Sequence, residues 1–152
     1  MDYSLVVISL LVSCLNAYAF TDREMVIIEE ADKFFNISNK EKPRMIDNDT
    51  LRERLQKGDL KLFILDVRSE KDYLDKRIDV PKEIPMMNIS QNNLFKESNL
   101  HKLPLDKDIV IVCYTDGLAN KIIPFLNIVG YRAMVLTGGI ERWTIQGLPS
   151  EK

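Results

Sequence analysis

Two periodicities alternate along residues 45–152. Near-continuous apolar runs, the pattern of a strand covered on both faces, are separated by stretches whose apolar residues recur every three or four positions, the pattern of a helix with one buried face. Asp47 is placed to cap a helix running to about Lys57, with Leu51 and Leu55 on its buried side and Gly58 as the stop. Residues 60–67, Leu-Lys-Leu-Phe-Ile-Leu-Asp-Val, read as a buried strand. Ser69 then caps a short helix, Asp72 completes an acidic capping box, and Tyr73 and Leu74 are expected to turn inward. Residues 84–89 read as a second short strand, and residues 94–103 as a weak helical or loop segment ending at Pro104. The last third is sharpest: a strand over 109–112, a helix over 118–129 ending at Gly130, and a strand over 132–136. Gly138-Gly139 then turn into a last helix through Trp143, closed by Gly147 before Pro149.

Strands separated by helical segments require crossover connections. The predicted fold class is therefore α/β, with a mainly parallel central sheet and helices on both faces. Functional residues of such sheets gather at the carboxyl ends of the strands, where Asp66 and Cys113 both fall.

The start of the chain follows a different pattern. Residues 4–15 are mostly Leu, Val and Ile, too short a run to span a bilayer but suited to the apolar region of an export signal. Ala17-Tyr18-Ala19 supplies a small-x-small cleavage pattern, predicting a mature chain from Phe20. A buried terminal helix or strand is the structural alternative. Leu11-Val12-Ser13-Cys14 also resembles the bacterial lipoprotein box, in which case Cys14 would carry lipid and tether the domain to a membrane surface. Residues 20–44 form a charged extension with apolar patches at Met25-Val26-Ile27-Ile28 and Phe34-Phe35, expected to lie loosely on the domain. The predicted organisation is a signal over 1–19, an extension over 20–44 and one domain over 45–152. The expected location is periplasmic or secreted.

Without the signal about 130 residues remain, enough for one core and too few for two. A net charge of −2 with 29% charged residues describes an ordinary solvated surface, and no basic block points to a nucleic-acid partner. His101 stands alone in a loop segment. No cluster at ligand spacing accompanies it, so neither a metal nor a cofactor is expected.

The candidate chemistry centres on Cys113. In an exported chain a structural cysteine is normally half of a disulfide, and after signal removal Cys113 has no intramolecular partner. It ends the run Asp108-Ile109-Val110-Ile111-Val112 and precedes the polar segment Tyr114-Thr115-Asp116-Gly117, which becomes helical. A thiol at a strand tip facing a helix amino terminus is placed for anion chemistry; the bland reading is a buried thiol acting as a small apolar residue.

Asp66-Val67-Arg68, Tyr73, Cys113 with its six-residue loop, Gly130-Tyr131, Leu136-Thr137-Gly138-Gly139-Ile140-Glu141-Arg142-Trp143 and Gly147-Leu148-Pro149, in this order and spacing, resemble a single-domain rhodanese. The resemblance covers about residues 45–149 and implies a rhodanese-like fold. It also implies sulfur transfer through a Cys113 persulfide, from a sulfane donor such as thiosulfate or a persulfide to a thiol acceptor. By the same resemblance Tyr114, Thr115, Asp116, Gly117, Leu118 and Ala119 form the substrate-binding loop, and Asp66 and Arg68 support it by holding loop amides or pairing with each other. In rhodaneses that loop curls its amides around the sulfur, so the amides and the following helix are expected to lower the thiol pKa.

The loop also departs from the family pattern. Tyr114 stands where the family has arginine, and Leu118 where a second arginine or a threonine is usual. The family's glycine is displaced by one place to Gly117, Asp116 brings in a carboxylate, Pro124 is expected to kink the helix behind, and Lys76-Arg77-Ile78 replaces a Gly-His-Ile segment. A mouth poorer in cations favours a persulfide or protein-thiol donor over thiosulfate. A phosphatase would need arginine where Ala119 stands, and a dithiol oxidoreductase would need a resolving thiol. Two classes remain: a sulfurtransferase or persulfide carrier, and a non-catalytic rhodanese-like binding module.

Overall fold

The computed structural model of the protein describes residues 20–36 and 44–152. The predicted signal, its cleavage motif and Cys14 lie outside the described residues. The chain falls into two compact units, residues 1–35 and 36–152. In the first, α1 (Asp22–Asn36) is a helix with no buried residue, where the sequence had only marked an extension. Thr21 opens it: the Glu24 carboxylate accepts hydrogen bonds from the Thr21 amide and hydroxyl, each at 2.7 Å. No helix among the described residues is long and apolar enough to cross a membrane.

The second unit is built on a five-stranded, entirely parallel sheet. Its strands are β1 (Met45–Ile46), β2 (Leu62–Asp66), β4 (Met86–Asn88), β5 (Asp108–Val112) and β6 (Arg132–Leu136), in the order β1-β6-β5-β2-β4. A separate antiparallel pair joins β3 (Arg77–Ile78) to β7 (Ser150–Glu151). The helical segments are α2 (Asn48–Gln56), α3 (Glu70–Asp75), the single turns α4 (Gln91–Leu94) and α5 (Glu97–Leu100), then α6 (Asp116–Ile128) and α7 (Gly139–Ile145).

Every residue of β2 and β5 is buried, which is why both runs are almost wholly apolar. Side-chain alternation then sorts them into two layers. Leu62, Ile64, Val110, Val112, Met134 and Leu136 form one core with Leu51 and Leu55 of α2 and Ile140 and Trp143 of α7. The alternate residues Phe63, Leu65, Ile109, Ile111, Ala133 and Val135 are buried on the opposite face, the side on which α6 contributes the buried Ile122, Ile123 and Leu126. Both faces of the sheet are therefore covered, as the α/β reading required.

The caps follow the sequence closely. Asp47 Oδ1 accepts from the Thr50 amide at 2.8 Å, and Gly58 leaves the helix in the left-handed region at φ +63°. Ser69 Oγ accepts from the Asp72 amide at 3.2 Å. Three details differ. Leu74 points outward and is 55% exposed, and its neighbour Tyr73 is the one that packs, with the Arg77 guanidinium 5.1 Å from its ring. The segment over 94–103 resolves into two separate turns, with Leu94 and Leu103 as its buried anchors. α6 begins two residues earlier than expected and runs unbroken through Pro124; the amide that proline lacks would have served the carbonyl of exposed Asn120, which solvent can satisfy.

Candidate active site

Two neighbouring strand ends build the site. Asp66 closes β2 and lies in register with Val112, the last residue of β5, so the chain emerging at Val67 runs beside the chain emerging at Cys113. The Val67 amide donates to the Val112 carbonyl at 2.9 Å and ties the two exits together.

On the β2 side, Asp66 and Arg68 form a buried ion pair, 0% and 4% exposed, with Nη2 2.6 Å from Oδ2. Arg68 Nε reaches both carboxylate oxygens, and the Arg68 amide donates to Oδ1 at 3.0 Å. Nη2 also donates to the Lys76 carbonyl at 2.6 Å. Asn88, at the end of β4, donates through Nδ2 to the Asp66 and Arg68 carbonyls at 3.0 and 3.1 Å. Asp66 thus holds the Arg68 amide and pairs with its guanidinium, and Arg68 also reaches the Lys76 carbonyl.

On the β5 side, Cys113 is a free, buried thiol with 3% exposure. The loop beyond it is shorter than the sequence suggested. Thr115 is already the N-cap residue of α6, so only Tyr114 and Thr115 separate the thiol from the helix. Of the expected loop, Asp116, Gly117, Leu118 and Ala119 are the first turn of that helix, and Ala119 is buried. Gly117 is not left-handed, and no non-glycine residue among those described has positive φ. Thr115 is extended, at φ −122° and ψ −176°, before the helix begins. The Tyr114 and Thr115 amides lie close enough to the sulfur to favour its charged form.

The thiol pKa departs from expectation in direction. Burial pushes Cys113 above the usual thiol range; the Tyr114 amide opposes this, the Asp66 carboxylate adds to it, and the Arg68 charge and the Thr115 amide pull it back. Desolvation is the largest influence, and the nearby charges come as an oppositely charged pair, Asp66 and Arg68, that act on the thiol in opposite directions. Asp116 does not face the thiol as an opposing charge: its Oδ2 accepts from the Gly138 amide at 3.4 Å.

Several positioning residues escaped the sequence reading. The amides of Ile140 and Glu141, at the start of α7, donate to the Cys113 and Tyr114 carbonyls at 2.9 and 3.1 Å. The thiol's own backbone is thus docked on a helix terminus. Gly139, at φ +58°, permits this: a Cβ there would stand 2.5 Å from the Cys113 carbonyl oxygen and 2.6 Å from that of Tyr114. The Gly-Gly pair, taken from sequence as a turn, is also a contact surface. Tyr114 reaches across to α3, where its hydroxyl donates to Asp72 Oδ2, and its ring lies 5.7 Å from the Arg68 guanidinium. A tyrosine followed by polar residues carried no signal of a partner 42 positions away.

Among proteins of curated function, no sequence matches this chain. Solved structures do resemble it. A rhodanese-related protein from Thermoplasma volcanium superposes with a TM-score of 0.59 at 23% identity, covering 71% of this chain and 97% of its own. The rhodanese-like domain of an Anabaena protein gives 0.59 at 24% identity, covering 71% and 78%. A rhodanese-like domain protein from Staphylococcus aureus gives 0.56 at 23% identity, covering 66% and 90%. Likeness at these identities establishes the fold. The model of the rhodanese-like domain family matches residues 47–146, a span running from the cap of α2 to the end of α7 and including both strand exits. With that match, the chain belongs to the rhodanese-like domain family.

Proposed function

We propose that this protein is a sulfurtransferase or persulfide carrier working through Cys113. The observation that carries the reading is a free thiol directly after the carboxyl end of a central strand and two residues before the N-cap residue of α6, in a rhodanese-like domain. In the first half-reaction the Cys113 thiolate attacks the outer sulfur of a donor R–S–SH. The donor's sulfur–sulfur bond breaks, its electron pair leaves on the inner sulfur as R–S⁻, and Cys113–S–SH forms. An acceptor thiolate then attacks the terminal sulfur, becomes a persulfide itself and returns Cys113 as thiolate. No external oxidant or reductant is consumed in either half. The amides of Tyr114 and Thr115 offset part of the cost of holding charge on the sulfur. Export, the reading of residues 1–19, is part of the same proposal and would make the donor and acceptor extracytoplasmic molecules.

The raised thiol pKa favours a second reading, a binding module that uses the same crevice without chemistry. Intact mass separates them. Incubation with an alkyl persulfide should add about 32 Da, one sulfur atom, and a Cys113→Ser variant should stay unmodified. Native protein that remains unmodified, or a serine variant modified to the same extent, supports the binding module.

A further inference from the structure

The contact between Tyr114 and the Asp72–Arg68 corner has no part in the transfer step, yet it sits beside Asp66 and Arg68, whose charges act on the sulfur. The Arg68 guanidinium acts on the Cys113 sulfur as a cation, and its Nε and Nη2 are engaged by Asp66 and the Lys76 carbonyl. Nη1 has no hydrogen-bond partner among the described residues, and it is not one of the fully enclosed polar atoms. It is the nitrogen left over for an anion. The Tyr114 ring lies over this guanidinium, and the hydroxyl that holds the ring there is bonded to Asp72, a carboxylate that itself interacts with Arg68. The Ser69 hydroxyl donates to the same carboxylate oxygen, Oδ2, that accepts from Tyr114. Ser69, Asp72, Tyr114 and Arg68 therefore form a continuous strap from α3 to the residue beside the nucleophile.

We propose that Tyr114 is the donor-selecting residue of this site: strapped to Asp72 across Arg68, it keeps the guanidinium from inorganic oxyanion donors, and the protein takes sulfur from organic persulfides. The inference rests on the sulfur-transfer reading and adds the class of donor to it. The physical reason lies in the charge each donor brings. Thiosulfate enters as a dianion and releases sulfite when its sulfur–sulfur bond breaks, so it needs a cation at the mouth both on arrival and on departure. A neutral R–S–SH releases a monoanionic thiolate, which needs less compensation. With Arg68 covered by an aromatic ring and Asp72 on its far side, the mouth offers the dianion a carboxylate in place of an open guanidinium. The ring is half exposed, so its outer face presents an apolar surface to an organic R group.

The test compares two donors on one protein. Single-turnover formation of the Cys113 persulfide, followed by the mass of the Cys113 peptide from the full chain, is measured with thiosulfate and with a small alkyl persulfide that carries no other ionisable group. The native protein should react faster with the alkyl persulfide. Tyr114→Ala should raise the thiosulfate rate by about tenfold and lower the alkyl persulfide rate, because it uncovers a cation and removes the apolar ring face that meets the organic group. Asp72→Asn, which weakens the strap and removes the opposing charge, should shift the ratio the same way by a smaller factor. The gained thiosulfate rate should fall with added salt. An unchanged donor ratio in both variants, with alkyl persulfide uptake intact, overturns donor selection and leaves sulfur transfer standing. Uptake from neither donor by the native protein overturns both.

Discussion

The exits from β2 and β5 lie side by side at the same edge of one sheet and have been built in opposite ways. The β2 exit holds two full charges, both buried, with the carboxylate accepting from a backbone amide and the guanidinium reaching a carbonyl. The β5 exit holds a neutral thiol, equally buried, with two amides close to it. Burial is thus shared, and satisfaction is not. A charged pair joined by several hydrogen bonds is fixed by its surroundings; a thiol with few polar partners is not. This division lets a rigid ion-paired corner and a free thiol sit in neighbouring positions.

The strongest way to break the contrast is to remove one partner from the β2 exit. Arg68→Met would leave the Asp66 carboxylate buried without its counter-ion and should cost about 3–5 kcal/mol, read as a lower urea midpoint at unchanged slope. Cys113→Ala, at the neighbouring exit, should cost about 1 kcal/mol, since it removes one small apolar group. Equal losses from the two variants would mean that both exits are structural.

Gly139→Ala probes the dock that joins the thiol's backbone to α7. The left-handed conformation and the approach of two carbonyl oxygens combine to give an expected loss of about 3 kcal/mol. Because the displaced atoms belong to Cys113 and Tyr114, thiol reactivity should change with stability in this variant. Stability lost with an unaltered alkylation rate would show that the loop is held from elsewhere.

A gentler test is pH. Burial holds the Cys113 thiol above the ordinary range, and the thiolate is the form that alkylates. The rate of Cys113 modification by iodoacetamide, followed by peptide mass, should therefore titrate at higher pH in the folded protein than in the chain unfolded in urea. The linkage has a definite sign. A pKa raised by folding contributes stability that is fully present below the unfolded thiol pKa and is lost as pH rises through the folded value. Cys113→Ala should flatten the stability curve in that alkaline window. A folded titration displaced to lower pH would mean that the two amides outweigh burial.

How far the sequence could be read follows from which forces are local. The runs of β2 and β5 are legible because a strand buried on both faces has no room for polar residues, and the helix starts at Asp47 and Ser69 because a cap is completed within three residues. The β3–β7 pair was invisible, since Arg77 and Ser150 come from opposite ends of the domain and each strand is two residues long. The site divides along the same line. Cys113, Asp66 and Arg68 could be placed from strand ends and family spacing. The docking of the Cys113 carbonyl on Ile140, the strap from Tyr114 to Asp72 and the depth of burial of the sulfur could not, because each depends on a backbone approach across the fold. The thiol's charge preference was misjudged for that reason: the amides were countable from sequence and the desolvation was not.

The smallest expected effect belongs to Asp116, whose sequence position suggested an anion set against the thiolate. In the fold it is the first residue of α6, and its carboxylate turns to the Gly138 amide. A carboxylate at a helix amino terminus interacts with the helix dipole, so Asp116→Asn should cost about 0.5 kcal/mol, seen as a small drop in thermal midpoint. Asparagine keeps an acceptor for Gly138, and the dock beneath Cys113 should hold. The alkylation profile of Cys113 should then be that of the native protein, because the lost charge was directed away from the sulfur. A profile displaced to lower pH would identify Asp116 as a charge acting on the thiol, and the β5 exit would then share the electrostatic character of its neighbour.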